Sequence, residues 1–174
     1  MIILAARDAH ITPYLQKCGR GLRPSPGKAY AIIIDLDGTL CDTSHRVHFV
    51  KESPPNWTAF FDGCVDDTPN GAVMALYDMV RDSGTAVIFV SGRPATHRAQ
   101  TEDWLERHGL NGHIELLMRE TGDYRPDQIV KRELYYRYVV DRHTILFCVD
   151  DRSVVVKMWR ELGLTCFQVA EGDF

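Results

Sequence analysis

The chain has 174 residues, 45% of them apolar and 25% charged, with a formal net charge of −4. That length fits one ordinary domain with its own core, and that balance belongs to a soluble globular protein. Nothing global announces a nucleic-acid binder, and no apolar run approaches the length of a membrane span.

Residues 1–28 read as a basic amino-terminal arm or linker. Arg7, Lys17, Arg20, Arg23 and Lys28 stand against Asp8 alone, net +4, which leaves −8 for the remainder. Periodicity is weak there, and the Gly/Pro cluster from Gly19 to Gly27 is linker-like. Such an arm suits a polyanion or a solvated tail equally. Met1 to Ala6 is too short for a signal peptide's apolar region and has no basic segment before it. Gly27-Lys28 imitates the end of a P-loop, but Gly21 is one position too far away and Ala29 stands where Ser or Thr must bind magnesium. No nucleotide kinase is visible.

Tyr30 to Ile34 is a β-branched apolar run of the kind buried on both faces of a parallel sheet. It delivers Asp35 and Asp37 where the strand runs out, and Gly38 and Thr39 make the turn. Alone, Asp-Gly reads as a hairpin turn. At the carboxyl end of a strand, two carboxylates can hold Mg²⁺ or divide the work of nucleophile and proton carrier.

Residues 41–69 are irregular and mixed, and read as a flap or small lid. Trp57, Phe60 and Phe61 within it are able to stack on a base, although anchoring the flap to the core is the simpler role for at least two of them. Thr68-Pro69-Asn70 starts a helix that Gly84 ends. Thr85 to Val90 is the second strand, and Ser91-Gly92-Arg93-Pro94 reads as a turn into a helix reaching about His108. Ile114 to Met118 is a short third strand. Pro126 opens a helix carrying Lys131; Asp127 precedes that lysine by one helical turn, placed to orient it. Thr144 to Val149 is the fourth strand, ending on Asp150-Asp151. A helix stopped by Gly163 and a last strand from Thr165 to Val169 complete the chain.

Strand and helix alternate five times, so the crossovers are right-handed and the sheet is mainly parallel. All strand carboxyl ends then share one edge, where four polar groups gather. These are Asp35 with Asp37, Ser91 with Gly92 and Arg93 at a helix amino end suited to an anion, Lys131, and Asp150 with Asp151. Phosphoryl transfer needs such a set, because the protein must position the group and absorb its spreading charge. The five cysteines are odd in number, scattered and without a CxxC pair, which predicts a reducing, cytoplasmic setting with neither disulfide nor zinc.

These residues resemble the haloacid dehalogenase (HAD) superfamily: Asp35-Leu36-Asp37-Gly38-Thr39 is its first motif, Ser91 the second, Lys131 the third, Asp150-Asp151 the fourth. Met118 to Arg125, Asp150-Asp151-Arg152, Met158-Trp159-Arg160 and the ending Cys166 to Phe174 resemble more narrowly the 3′-phosphatase domain of bacteriophage polynucleotide kinase/phosphatase. The resemblance covers residues 29–174. It implies a HAD-like Rossmannoid three-layer α/β fold, with a five-stranded, mainly parallel sheet and a flap at about 41–69.

The resemblance further implies that Asp35 is the nucleophile, forming an aspartyl-phosphate, and that Asp37 protonates the leaving oxygen and then activates water. Ser91 and Lys131 would hold phosphoryl oxygens. Mg²⁺ would be bound by Asp35, the backbone carbonyl of Asp37, and Asp150, with Asp151 in support. Thr39, Gly92, Arg93, Arg119 and Arg125 are candidates for binding the rest of the substrate, with structural salt bridges as the alternative for the arginines. The implied substrate is a nucleic-acid 3′ end, with a separate kinase or ligase as partner. The alternatives are a phosphatase of free nucleotides or other small phosphomonoesters and, in another class, a noncatalytic module that binds nucleic-acid ends. The sequence departs from the bifunctional enzyme in carrying residues 1–28, without a P-loop, where a kinase half would stand.

Overall fold

The sheet is built outward from β1 (Ala29–Ile34). In the computed structural model, which describes residues 27–172, β1 pairs in parallel with β4 (Ala86–Pro94) on one side and β6 (His143–Asp150) on the other. β5 (Glu115–Arg119) and β7 (Cys166–Gln168) form the edges, giving the order β5-β4-β1-β6-β7, all parallel. The remaining strands, β2 (Cys41–Asp42) and β3 (Thr68–Pro69), form a separate antiparallel ribbon. The expectations for residues 1–26, the basic arm among them, lie outside the described residues.

β1 shows why a continuous apolar run suits this position. Ala31 and Ile33 face one core cluster and Ile32 and Ile34 the other, the period of two of an extended chain. The first cluster is closed by α5 (Asp127–Leu134), its π-turn continuation Tyr135–Val139, and α6 (Ser153–Glu161). The second is closed by α3 (Gly71–Asp82) and α4 (Arg98–Arg107). Three layers result, as expected. Each fully buried Ile of β1 contributes about 1.5–3 kcal/mol by leaving water.

Because the chain leaves β1 toward β4 and later returns on β6, the sheet reverses its winding at β1. Ligands of α/β sheets bind at the carboxyl ends beside such a reversal. Asp35, Ser91 and Asp150 therefore come from three adjacent strands. The turn after β1 is tight: Cys41 N–H and Thr39 N–H both donate to the Leu36 carbonyl, and Gly38 takes φ +82°. The Asn70 side chain caps α3 through Ala72 N–H and donates to the Thr39 carbonyl, tying that helix to the turn.

Two local expectations are corrected. Ser91 to Pro94 does not turn into a helix; β4 continues through it after a register shift, a 3₁₀ turn occupies Ala95–His97, and α4 begins at Arg98. No helix amino end stands at Ser91. The flap is also more regular than expected. It holds α1 (His48–Lys51), α2 (Trp57–Asp62) and a 3₁₀ turn at Gly63–Asp66, and the β2–β3 ribbon pins its two ends together.

Candidate active site

The ends of β1 and β6 and the helix α5 build the first half of the site. Lys131, on α5, donates to Asp35 Oδ1 at 2.7 Å and to Asp150 Oδ2 at 3.0 Å, with Asp127 Oδ2 at 3.5 Å behind it. Asp127 sits one helical turn back, where the spacing predicts it. The Thr39 hydroxyl lies 3.3 Å from both Asp35 Oδ2 and Asp151 Oδ1, and Trp159 Nε1 donates to Asp150 Oδ2 at 3.2 Å. Asp35, Thr39, Lys131, Asp150 and Asp151 are all buried.

Burial raises Asp35 well above the ordinary carboxylate range; Lys131 opposes that rise, while Asp150, Asp151 and Asp127 add to it. Burial and then the Asp150 charge lift Asp151 to about 7. Lys131 stays protonated although it is buried, because Asp127, Asp150 and Asp35 outweigh its desolvation. Oxygens of Asp35, Asp150 and Asp151 lie within 4.8 Å of one another, and one ammonium, Lys131, pairs with the first two. A buried set of hard oxygen donors with surplus negative charge fits Mg²⁺.

Asp37 lives in a different environment two residues away. Arg93 Nε and Nη2 donate to its Oδ1 at 2.9 and 2.6 Å, and Arg46 Nη2 donates to the same oxygen. Both guanidiniums continue to Asp67: Arg46 reaches it from Nε and Nη2 at 2.6 Å each, Arg93 from Nη2 at 2.8 Å. Arg46, Arg93 and Asp67 are buried. Burial alone would raise the Asp37 pKa, but Arg93 and then Arg46 overcome it and hold the carboxylate below its usual range. Asp37, Cys41 and Asp67 also approach one another within metal-binding distance, yet two guanidiniums fill the space between the carboxylates.

The structure thus sorts the expected residues into two groups sharing one turn. Asp35, Thr39, Lys131, Asp150 and Asp151 form the acidic cluster; Asp37 and Arg93 form the arginine clamp. Ser91 is buried in β4 and accepts a hydrogen bond from Arg93 N–H. Gly92 is needed for close approach, since a Cβ there would stand 2.4 Å from Asp127 Oδ1. All three candidate arginines are engaged with protein groups. Arg93 is held by Asp37 and Asp67. Arg119 binds Asp127 and the Gly92 carbonyl. Arg125 is half exposed and paired with Asp123 and Glu133. Arg46 and Asp67 escaped the sequence reading. Their one signal was a set of charged residues inside an aromatic flap, and nothing local pairs residue 46 with residue 67.

A parallel sheet that reverses at a DxDGT strand, with a lysine and a second aspartate pair converging on its carboxyl edge, defines a HAD-type phosphatase fold. A narrower assignment comes from comparison: the family model for the polynucleotide kinase PNKP phosphatase domain matches residues 29–174. The chain belongs to that family.

A chain in the structure of a Pnkp1/Rnl/Hen1 RNA repair complex is 37% identical, with a TM-score of 0.76, over 88% of this chain and 46% of that one. A protein of Autographa californica nuclear polyhedrosis virus, provisionally described as a bifunctional polynucleotide kinase/RNA ligase, is 26% identical over 142 residues. That match takes in 80% of this chain and 19% of the viral protein. This chain thus spans less than half the length of either relative. The class C acid phosphatase of Bacillus anthracis, determined with tungstate bound, has a TM-score of 0.65 at 16% identity, covering 99% of this chain and 77% of that one. It shares the fold.

Proposed function

We propose that the chain is a Mg²⁺-dependent phosphatase that removes 3′-phosphates from polynucleotide ends, with Asp35 as nucleophile. The observation that carries this reading is the split between the two carboxylates of the turn. Asp35 sits beside Lys131 in a cluster of buried acids, whereas Asp37 is clamped by two arginines. A carboxylate beside an ammonium in a cluster of acids is placed to attack a phosphoryl group, and one on the opposite, arginine side of the turn is placed to serve the leaving oxygen. Family membership over residues 29–174 and relatives named for polynucleotide kinase and RNA repair support the nucleic-acid end as substrate.

In this reading Asp35, Asp150 and the backbone carbonyl of Asp37 hold the cation, with Asp151 in support, since the Asp37 carboxylate is committed to the arginines. When bound, Mg²⁺ neutralises phosphoryl oxygens and the surplus charge of the acids. Lys131 and Ser91 hold further phosphoryl oxygens, and the Lys131 ammonium favours the ionised form of Asp35 that attacks. Attack forms the Asp35–phosphorus bond and breaks the ester bond, while Asp37 supplies the leaving oxygen's proton. The substrate phosphate opposes the guanidinium charges, which favours that proton on Asp37 in the complex. Asp37, ionised by that donation, then takes a proton from the water that hydrolyses the acyl-phosphate and so regains its protonated form. The product 3′-hydroxyl is the nucleophile that end-joining requires, so a kinase or ligase acting on the same ends is the fitting partner.

The test is phosphate release with Mg²⁺ from a 3′-phosphorylated oligonucleotide, its 5′-phosphorylated counterpart, and 3′- and 5′-mononucleotides. Preference for the 3′-phosphorylated oligonucleotide is expected; equal or faster turnover of mononucleotides overturns the polymer-end reading. Asp35→Asn loses at least about 10³-fold in turnover while still binding the oligonucleotide. Binding without turnover by the native protein would instead leave a noncatalytic end-binding module.

A further inference from the structure

The flap carries aromatic surface that the phosphoryl chemistry does not use. Trp57 opens α2 and is 45% exposed, whereas Trp104 and Trp159 are fully buried. Its indole stacks on Phe61, with centroids 5.9 Å apart and planes 25° apart, and meets Phe60 edge-on. Phe61 in turn packs on His97, 5.7 Å away in the turn after β4, and His97 binds Asp62 Oδ1 at 3.0 Å. The exposed indole is therefore braced from both the flap and the sheet edge. A base stacking on it would order little protein.

Its position relative to Asp37 gives it meaning. Phe60, the ring between Trp57 and the interior, receives the Arg46 guanidinium over its face at 4.2 Å, and its carbonyl accepts from Arg46 Nη1 at 2.9 Å. Arg46 is the residue that binds Asp37. Trp57 is thus separated from the Asp37 carboxylate by one ring and one guanidinium. Lys131 and the acids lie on the other side of the turn. In an in-line displacement the leaving group departs opposite the nucleophile, and Asp37 serves the leaving oxygen. The nucleoside must emerge on the side of Asp37, which is where the aromatic surface stands.

We infer that Trp57, braced by Phe61 and His97, is a stacking platform for a nucleobase at the phosphorylated end, and sets the preference for nucleotide over simple phosphomonoesters. The inference rests on the function proposed above, with Asp37 serving the leaving group. Base–aromatic stacking is sequence-tolerant, so the platform would accept any end.

The test compares the native protein with Trp57→Ala and Trp57→Phe on a 3′-phosphorylated oligonucleotide, the same oligonucleotide with an abasic terminal position, and glycerol phosphate. Trp57→Ala is expected to raise KM for the intact oligonucleotide about 10-fold or more, with kcat nearly unchanged. It should leave the other two substrates alone, and Trp57→Phe should restore most of the loss. Oligonucleotide should also quench the exposed indole's fluorescence, and Trp57→Phe should abolish that quenching. Equal losses on all three substrates, or no change on any, overturn the platform and leave Trp57 as a cover for Phe60. The native protein's substrate order tests the proposed function separately. If mononucleotides outrun the oligonucleotide but Trp57→Ala raises KM for them and not for glycerol phosphate, the platform stands and the polymer reading falls.

Discussion

Asp37 illustrates how a single carboxylate is assigned its task by neighbours distant in sequence. Two guanidiniums surround it, and Asp67 ties both of them down. Removing one partner of a buried ionic network leaves an uncompensated charge, which costs about 3–5 kcal/mol. Arg46→Ala should therefore lower unfolding free energy by about that amount, measured by urea denaturation. The same change lifts part of the positive field from Asp37, so its pKa rises toward the ordinary range. In the native protein that low pKa means Asp37 contributes stability above its unfolded value of 3.8, lost as pH falls through that region. The acid limb of a stability curve should accordingly be shallower in Arg46→Ala. Asp35, Lys131 and Asp150 were legible because each residue type stands at a strand end or on the following helix. Arg46 and Asp67 were not, because their meeting depends on how the flap closes.

At the scale of elements, close approach decides what the turns tolerate. A Cβ on Gly38 would stand 2.2 Å from Asp151 Oδ2, at φ +82°, and one on Gly172 would stand 2.0 Å from the same atom. The Asp-Gly turn and the segment after β7 thus press on one carboxylate from two sides. Gly92→Ala, at a position without a positive φ, isolates the steric effect, because its Cβ meets Asp127. It should displace Asp127 and with it Lys131, cutting kcat at least about 10-fold while changing stability by about 1–3 kcal/mol. Turnover and thermal unfolding of the same preparation check both parts. The sequence predicted a helix entry at Ser91, where β4 instead stays extended alongside β5, with Pro94 in register with Arg119. Ser-Gly-Arg-Pro has the composition of a turn, and tertiary pairing overrode it.

For the whole molecule, the acidic cluster should make stability depend on pH and on divalent cation together. Asp151 ionises at about 7 in the folded chain against 3.8 unfolded. Between those values the folded state holds the extra proton, so the contribution of this group declines as pH rises and is least above about 7. Without divalent cation, Tm should fall between about pH 5.5 and about pH 8, and millimolar Mg²⁺ should restore more at the higher pH, where the acids are ionised and bind it best. Equal Mg²⁺ effects at both pH values would remove the cluster as a cation site. The sequence by itself determined the alternating α/β order, the parallel sheet, and the gathering of Asp35, Ser91, Lys131 and Asp150 on one edge. Apolar periodicity and strand-end position are local properties, and right-handed crossovers convert them into topology. Only the tertiary structure decided that Asp37 belongs to Arg46, Arg93 and Asp67, that Arg93 faces inward, and that Trp57 stays exposed. Those facts depend on contacts across dozens of residues, made when the β2–β3 ribbon folds the flap onto the sheet edge.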